Sequence, residues 1–165
     1  MPSNDSRLRR HRSAALAASL LLLTLAIPSV SSAGLIGWSL SGGRYDNLAG
    51  TDHPYFVGIG PRVSLGSIIL APNAEWLFVD ASQVYTLNLD AAMVVLPAGV
   101  ASAWVGGGVG FRTVKPDHLD ATTDRTLNLL AGAGLNLVPM KPYAQLKWVI
   151  EDGQKPIAMS VGIRF

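Results

Sequence analysis

The sequence predicts an all-β fold, a closed antiparallel eight-stranded up-and-down barrel that crosses a membrane. Apolar and polar residues alternate with a period of two in one segment after another, which is typical of strands with one apolar face. Only 15% of the 165 residues are charged, whereas a soluble domain carries about 25%. Small uncharged residues dominate the polar face, so we expect that face to be enclosed and the apolar face to contact lipid.

The composition excludes several classes of protein. A chain of 165 residues holds one domain of ordinary size. Cysteine is absent, which excludes disulfide scaffolds, thiol catalysis and cysteine-ligated metal sites. The 17 glycines and 10 prolines argue against long helices beyond the N-terminal segment.

The N-terminal segment has the three parts of a secretory signal peptide. A basic stretch at 7–12 precedes an apolar run at 14–27, and small residues at 31–33 offer a cleavage site. The alternative is a membrane anchor, but a run of 14 residues is shorter than the roughly 20 that a spanning helix needs. We therefore predict that 1–33 is a cleaved signal peptide and that 34–165 forms the barrel domain.

Loss of this leader changes the charge balance. It removes four of the 13 basic residues and one of the 11 acidic residues, which leaves nine and ten and a net charge of −1. The sequence isoelectric point near 9.2 therefore belongs mostly to the leader. Nucleic-acid binding requires a basic stripe that neutralises phosphates, and we expect no nucleic-acid partner.

Eight strands are predicted by dividing the chain at its turn signals. The first three end at the polar segment 45–54, at the tight turn 66–67 and at 80–82. In the fourth strand every second residue from Tyr85 to Val95 is apolar, and the residues between are mostly polar. The predicted bounds are 35–44, 55–65, 68–79, 83–96, 100–114, 125–138, 142–151 and 156–165.

The remaining four strands follow from the same signals. The fifth follows the turn 97–99 and contains glycines at 106, 107, 108 and 110. No Lys-Ser/Thr pair and no helix follow these glycines, so we interpret them as close backbone approach in a curved strand and not as a phosphate loop. Alternation is clear in the sixth and eighth strands, and the turn 139–141 and the segment 152–155 delimit the seventh.

The connections alternate in length along the chain. The polar ten-residue segments 45–54 and 115–124 fall at one end of the sheet. The turns 66–67, 97–99 and 139–141 fall at the other end. This alternation indicates strands that run up and down, with both ends of the barrel chain on the short-turn side.

The few charges of the polar face are expected to fill the lumen. An eight-stranded barrel has an interior just wide enough for side chains, so opposite charges on that face should pair, with asparagine and glutamine side chains completing the hydrogen bonds. The alternative is a narrow porin-like channel in which the same charges line water. The residues assigned to this lumen charge network are Arg62, Glu75, Asp90, Arg112, Lys147, Glu151 and Arg164.

Aromatic residues on the apolar face are expected to form a girdle near the long-loop end. Amphipathic aromatic side chains prefer the headgroup level of a bilayer. The residues assigned to this outer girdle are Tyr55, Phe78, Tyr85, Phe111 and Trp148. Trp104 has the opposite parity and is expected to fill the lumen.

The last strand carries the most specific motif. Its apolar residues recur at every second position up to the C-terminal phenylalanine, and they are Ile157, Met159, Val161, Ile163 and Phe165. With the leader, the eight alternating strands and the short turns at one end, the chain resembles small eight-stranded outer-membrane barrels such as the outer-membrane protein A and X families. The motif itself is similar to the C-terminal signal that these proteins offer to the barrel assembly machinery.

The resemblance implies a place and a role. It implies the outer membrane of a Gram-negative bacterium, with outer-membrane lipids and lipopolysaccharide as surroundings and the barrel assembly machinery as a partner during biogenesis. It also implies a structural or surface-interaction role, in which loops 45–54 and 115–124 meet a surface ligand. A soluble ligand-binding barrel is the remaining alternative to a membrane protein.

Catalytic and metal chemistry is not predicted. His53 and His118 fall in the two long loops, where we interpret them as solvated. Neither Asp52-His53 nor His118-x-Asp120 supplies the convergent ligands of a metal site. We therefore expect no catalytic residue, no metal and no cofactor.

Some small outer-membrane barrels are enzymes, namely lipid A deacylases, palmitoyltransferases and omptin proteases. The deacylases have a His-x-Ser pair, whereas His118 is followed by Leu119 and Asp120. A nucleophile must lie within hydrogen-bond reach of its base, and the serines of the predicted strands are remote from both loop histidines. A lipid A-modifying enzyme therefore ranks behind a non-catalytic protein.

Overall fold

The computed structural model describes most of the predicted barrel domain. The described residues are 36–48, 53–80, 82–116, 120–137, 139–151 and 153–165. The predicted signal peptide, 1–33, lies outside them. Across the described ranges no helix has the length and hydropathy to cross a bilayer.

Eight antiparallel strands close into one barrel in sequence order, which confirms the predicted fold class. Two strands, β2 and β3, have the predicted bounds, and the others differ by one to three residues at each end. The strands are β1 (Ile36–Asp46), β2 (Tyr55–Leu65), β3 (Ile68–Val79), β4 (Ser82–Ala98), β5 (Ala101–Pro116), β6 (Thr122–Leu135), β7 (Lys141–Ile150) and β8 (Ile157–Arg164).

The largest difference from prediction lies at the connection expected over 115–124. The β5–β6 ladder continues into this segment, with Thr113 opposite Thr123, so only 117–121 lie between the strands. The two threonine hydroxyls are 2.9 Å apart and share a hydrogen bond. β-branched threonines favour strands, which explains why the polar composition of this segment did not make it a loop.

Closure is completed by the pairing of β8 with β1. The register places Ile163 opposite Leu40 and Ala158 opposite Tyr45. Beyond β8, Trp38 and Phe165 exchange two backbone hydrogen bonds, with N···O distances of 2.7 and 3.0 Å. Because every described strand has two hydrogen-bonded neighbours, none of them presents a free sheet edge.

The two ends of the barrel differ, and we name them by their connections. The upper end carries the connections that follow β1, β3, β5 and β7. The lower end carries the turns that follow β2, β4 and β6, the start of β1 and the end of β8.

The interior contains two clusters of buried hydrophobic side chains that the sequence analysis did not expect in a lumen filled by polar and charged groups. Phe56, Leu77, Val84 and Val149 share the inward parity of their strands, and this is why they pack inside. The upper cluster consists of Tyr45, Phe56, Leu77, Val84, Val149 and Ala158. The lower cluster consists of Ile69, Ala92, Trp104 and Leu130.

Glycines of the inward face make room for the large aromatic side chains. A Cβ at Gly132 would lie 2.6 Å from the ring of Trp104, and one at Gly162 would lie 2.7 Å from the ring of Tyr143. Real Cβ atoms do not approach other atoms this closely. The lower cluster therefore depends on the absence of side chains at these two positions.

Substitution of Gly132 by alanine tests this dependence. We expect Gly132→Ala to lower the free energy of unfolding by about 1–3 kcal/mol, because the added methyl group displaces Trp104 from a packed position. Urea titration in detergent micelles measures the change. Gly99→Ala is the matched control, since a Cβ at Gly99 would meet no atom within 4 Å. Equal stability of the two variants would contradict the packing argument.

Candidate functional site

A polar layer crosses the lumen between the upper and lower clusters. Lys147 Nζ lies 2.6 Å from Glu75 Oε1 and 3.5 Å from Asp90 Oδ2. The three side chains are only 4%, 6% and 5% exposed. Charges buried this deeply are tolerated only when they are paired and hydrogen-bonded, so each member of this triad depends on the others.

A closed set of amide hydrogen bonds extends the layer around Asp90. Asn128 Nδ2 donates to Asp90 Oδ1 at 3.0 Å and to Asn88 Oδ1 at 2.9 Å. Asn88 Nδ2 donates to Asn73 Oδ1 at 3.0 Å, and Asn73 Nδ2 returns to Asp90 Oδ2 at 3.1 Å. Both carboxylate oxygens of Asp90, on β4, thereby accept hydrogen bonds from side chains of β3 and β6.

The glycines of β5 make this connection possible. β5 lies between β4 and β6, yet Asn128 on β6 reaches Asp90 and Asn88 on β4. A Cβ at Gly108 would collide with Asp90 Oδ1, and one at Gly110 would collide with Asn88 Oδ1. We predicted that these glycines allow close approach in a curved strand. They also leave room for side chains to cross the inner surface of β5.

The upper part of the lumen holds a second ion pair. Arg112 Nη1 contacts Glu151 Oε1, and these side chains are 4% and 10% exposed. The Arg112 guanidinium carbon lies 5.1 Å from the ring centre of Tyr45, a cation–π distance. The Tyr45 hydroxyl donates to Glu75 Oε2 at 2.5 Å, so this tyrosine connects the two ionic groups.

Arg62 and Arg164 depart from the expectation that all seven lumen charges pair. Both lie on inward positions, but among the described residues neither makes an ion pair with a carboxylate. Their guanidinium carbons lie 5.0 and 4.9 Å from the ring centre of Trp104. The two arginines lie near the lower end of the barrel axis, whereas the described acidic side chains of the lumen lie in its middle and upper parts.

Little free space remains inside the barrel. The cavity bordered by the polar layer and the lower cluster has a volume of about 50 Å³, which is room for a few water molecules. Trp104 is 1% exposed and donates its Nε1 hydrogen to Gln145 Oε1 at 3.1 Å, in the lumen position predicted for it. Side chains therefore fill the lumen at the level of the polar layer.

Two tyrosines of the lumen were missed by the sequence analysis. Tyr45 was assigned to a loop because β1 was expected to end at residue 44, although alternation from Gly37 continues through it. Tyr143 packs edge-on against Trp104, with ring centres 6.0 Å apart. Its inward parity within β7 was the available signal.

The five predicted girdle aromatics all lie on the outer face, between 38% and 66% exposed. The register sets Tyr55 beside Phe78, and Trp148 beside Leu129. Two further tryptophans of the outer face were not among the predicted girdle residues. Trp76 is 40% exposed beside Tyr85, and Trp38 has outward parity at the lower end.

The residues of the predicted assembly motif lie along the seam of the barrel. Their side chains face outward from the end of the chain that includes β8, and β8 pairs with both β7 and β1. Val161 and Phe165 are 67% and 60% exposed. An apolar line, formed by these side chains, therefore runs along the outside of the pair β8–β1 that closes the barrel.

His53 is the histidine within the described ranges, and it lies in a small group of charged side chains at the upper end. His53 Nδ1 lies 2.7 Å from Asp46 Oδ1 on the exposed upper edge, and Arg44 Nε lies 3.4 Å from the same oxygen. His118 falls outside the described residues. Within the described ranges, no three acidic or histidine side chains converge on a point that would hold a metal ion.

The architecture is shared with small outer-membrane barrels. Neisserial surface protein A superimposes with a TM-score of 0.63 at 10% identity, covering 78% of this chain and 94% of that protein. This chain has their fold. The N-terminal barrel domain of Pseudomonas aeruginosa OprF gives a TM-score of 0.58 at 17% identity, covering 78% and 97% of the two chains. Ail, the attachment invasion locus protein of Yersinia pestis, gives 0.52 at 16% identity, covering 79% and 97%.

At these identities the similarity establishes a common fold, and the predicted resemblance to small eight-stranded outer-membrane barrels is confirmed at that level. No protein-family model and no curated protein sequence matches the chain.

The triad of the polar layer is tested by removing one charge. We expect Glu75→Gln to lower the free energy of unfolding by about 3–5 kcal/mol, because Lys147 then keeps only the more distant carboxylate of Asp90. Urea titration in micelles measures this loss. Asp124→Asn at the exposed upper edge is the matched control and should have little effect.

A double variant separates ionic coupling from simple loss of packing. Glu75→Gln combined with Lys147→Met should be less destabilised than the sum of the two single variants, since both charges are then removed together. Strict additivity of the two losses would argue against a paired triad.

Proposed function

We propose that this chain is an integral outer-membrane β-barrel with a sealed lumen and a non-catalytic, structural or surface-interaction role. The observation that carries the proposal is the inverted distribution of its side chains. Among the described residues, 29 large hydrophobic side chains are exposed, while Glu75, Asp90, Arg112 and Lys147 are buried. Soluble barrels avoid so large an apolar surface because it drives aggregation.

The positions of the outward-facing charges support an apolar belt on the barrel that contacts the hydrocarbon core of a bilayer. By strand alternation, the charged side chains that face outward from the described strands lie at the upper edge, as Arg44, Asp46, Lys115 and Arg125 do. Below them the outward positions are uncharged. The strands contain 8 to 17 residues, and about 9–11 tilted residues cross a bilayer.

The aromatic girdle lies where this belt meets the charges. Tyr55 is paired with Arg44, and Phe111 is paired with Arg125. Aromatic side chains at the boundary between apolar and charged surface are typical of a membrane interface. Outer-membrane lipids and lipopolysaccharide are therefore the proposed surroundings of the belt.

The orientation follows from the lengths of the connections. Outer-membrane barrels have short periplasmic turns and longer extracellular loops. The lower end is therefore assigned to the periplasm and the upper end, with the connections 47–54 and 117–121, to the outside. The apolar line of β8 is assigned as the signal for the barrel assembly machinery.

Spin labelling tests the belt, and the absence of cysteine allows single labels. Arg125→Cys and Leu129→Cys lie on the same outward face of β6, and four residues separate them by about 13 Å along the strand. In bilayers we expect the Leu129 label to be relaxed mainly by oxygen and the Arg125 label mainly by a water-soluble nickel complex. A water-exposed Leu129 label would contradict a lipid-facing belt.

Planar-bilayer recording tests the sealed lumen. The purified protein is expected to give no steady openings above background, because side chains occupy the lumen from the lower cluster to the upper cluster. A large porin, inserted under the same conditions, controls for the sensitivity of the recording. Reproducible unitary openings of this protein would favour the narrow-channel alternative.

A further inference from the structure

The lower end of the lumen opens into a vestibule of about 520 Å³, which we call the lower vestibule. Its charged side chains are those of Arg62, Lys141 and Arg164, and Ser64 and Ser102 add hydroxyl groups. No aspartate or glutamate among the described residues lines it. The charged side chains of the lower vestibule are therefore all cationic.

Its arginines differ from the other buried cations of the barrel. Lys147 is neutralised by Glu75 and Asp90, and Arg112 by Glu151. Arg62 and Arg164 have no such partner in the described part of the chain. Asp90 does not serve them, because Lys147, Asn73 and Asn128 already contact its carboxylate.

The two guanidinium groups are fixed in position. Both lie over the Trp104 ring, and Arg164 also lies 5.7 Å from the ring centre of Tyr143. Arg164 Nε donates to the Lys141 carbonyl oxygen at 3.4 Å. Two like charges at one ring repel each other, so the aromatic contacts hold them together against an electrostatic cost.

Each of these arginines also has an unused donor. Arg62 Nη2 and Arg164 Nη2 are buried and have no hydrogen-bond partner in the described structure. A buried donor without an acceptor costs free energy, and an oxyanion in the vestibule would neutralise the charge of both guanidinium groups. Arg112 also has unpartnered nitrogens, but its charge is already balanced by Glu151.

We propose that the lower vestibule is a binding site for a phosphate group, which bridges Arg62 and Arg164 and is attracted by Lys141 at the mouth. Guanidinium groups match the oxygens of phosphate in geometry and charge. The volume of the vestibule also accommodates a small organic substituent on the phosphate. Such a group is supplied either by a soluble phosphate ester or by a phospholipid headgroup of the facing leaflet.

Arginine side-chain NMR tests the proposal with an internal control. The protein is labelled with ¹⁵N-arginine, refolded in a phosphate-free sugar detergent and titrated with inorganic phosphate, against sodium chloride at equal ionic strength. The Nε–H signals of Arg62 and Arg164 are expected to shift saturably with phosphate. Those of Arg112 and Arg125 are expected to stay in place, and chloride should shift none of them.

Variants assign the site. Arg62→Gln and Arg164→Gln should each weaken phosphate binding about tenfold or more, since each removes a charge-assisted hydrogen bond. Arg44→Gln, on the exposed upper edge, is the matched control and should leave the affinity unchanged. Heat-modifiable gel migration verifies that each variant forms the barrel. Shifts that are absent, or that are equal for all arginines, would overturn the proposal.

Two further titrations identify the source of the phosphate group. Glycerol phosphate is added in one, and phosphatidylglycerol is incorporated into the micelles in the other. Saturable shifts of Arg62 and Arg164 with glycerol phosphate alone support a soluble ester, and shifts with phosphatidylglycerol support a lipid headgroup. If neither compound shifts these two signals, the vestibule binds the phosphate of neither a soluble ester nor a lipid headgroup, and the proposal is wrong.

Discussion

Pairing of β8 with β1 is the interaction on which the rest of the structure depends. Once the ladder closes, each described strand has two neighbours and the side chains divide into an inner set and an outer set. An eight-stranded barrel leaves an interior only as wide as its side chains, so the inner set must pack and neutralise itself. The outer set of the described strands is largely apolar and exposed.

The interior meets this demand in layers. Hydrophobic side chains pack above and below, and the polar layer between them pairs Lys147 with Glu75 and Asp90. The bare inner surface of β5 lets Asn128 reach across to Asp90, so strands that do not touch through their backbones are connected by side chains. Packing and charge pairing are therefore properties of the whole ring of strands and not of any one hairpin.

Alternation in the sequence predicted the strands and the side of the sheet on which each side chain lies, because the period of two is a local property of extended backbone. It placed Trp104 and the lumen charges inside and the aromatic girdle outside. It did not predict which charges meet. Parity gives the face of a side chain, whereas height along the axis depends on the register of neighbouring strands, and Arg62 and Arg164 are separated from the acidic residues by height alone.

Other differences have equally local causes. The start of β6 was missed because Thr122 and Thr123 read as polar loop residues, although their branched side chains favour a strand. Tyr45 was missed because the last inward position of β1 lies next to polar residues. In both cases strand structure continued further than composition indicated, which is expected where a hairpin extends beyond an apolar belt.

The separation of charge along the axis gives the barrel an electric dipole. Its positive pole is formed by the cations of the lower vestibule, whereas above them the triad of Glu75, Asp90 and Lys147 carries one net negative charge and the pair of Arg112 and Glu151 carries none. A voltage across a bilayer acts on every fixed charge inside it, at about 2.3 kcal/mol per elementary charge for a full crossing at 100 mV. Opposite insertion directions of this barrel in a bilayer consequently differ in energy whenever such a field is present.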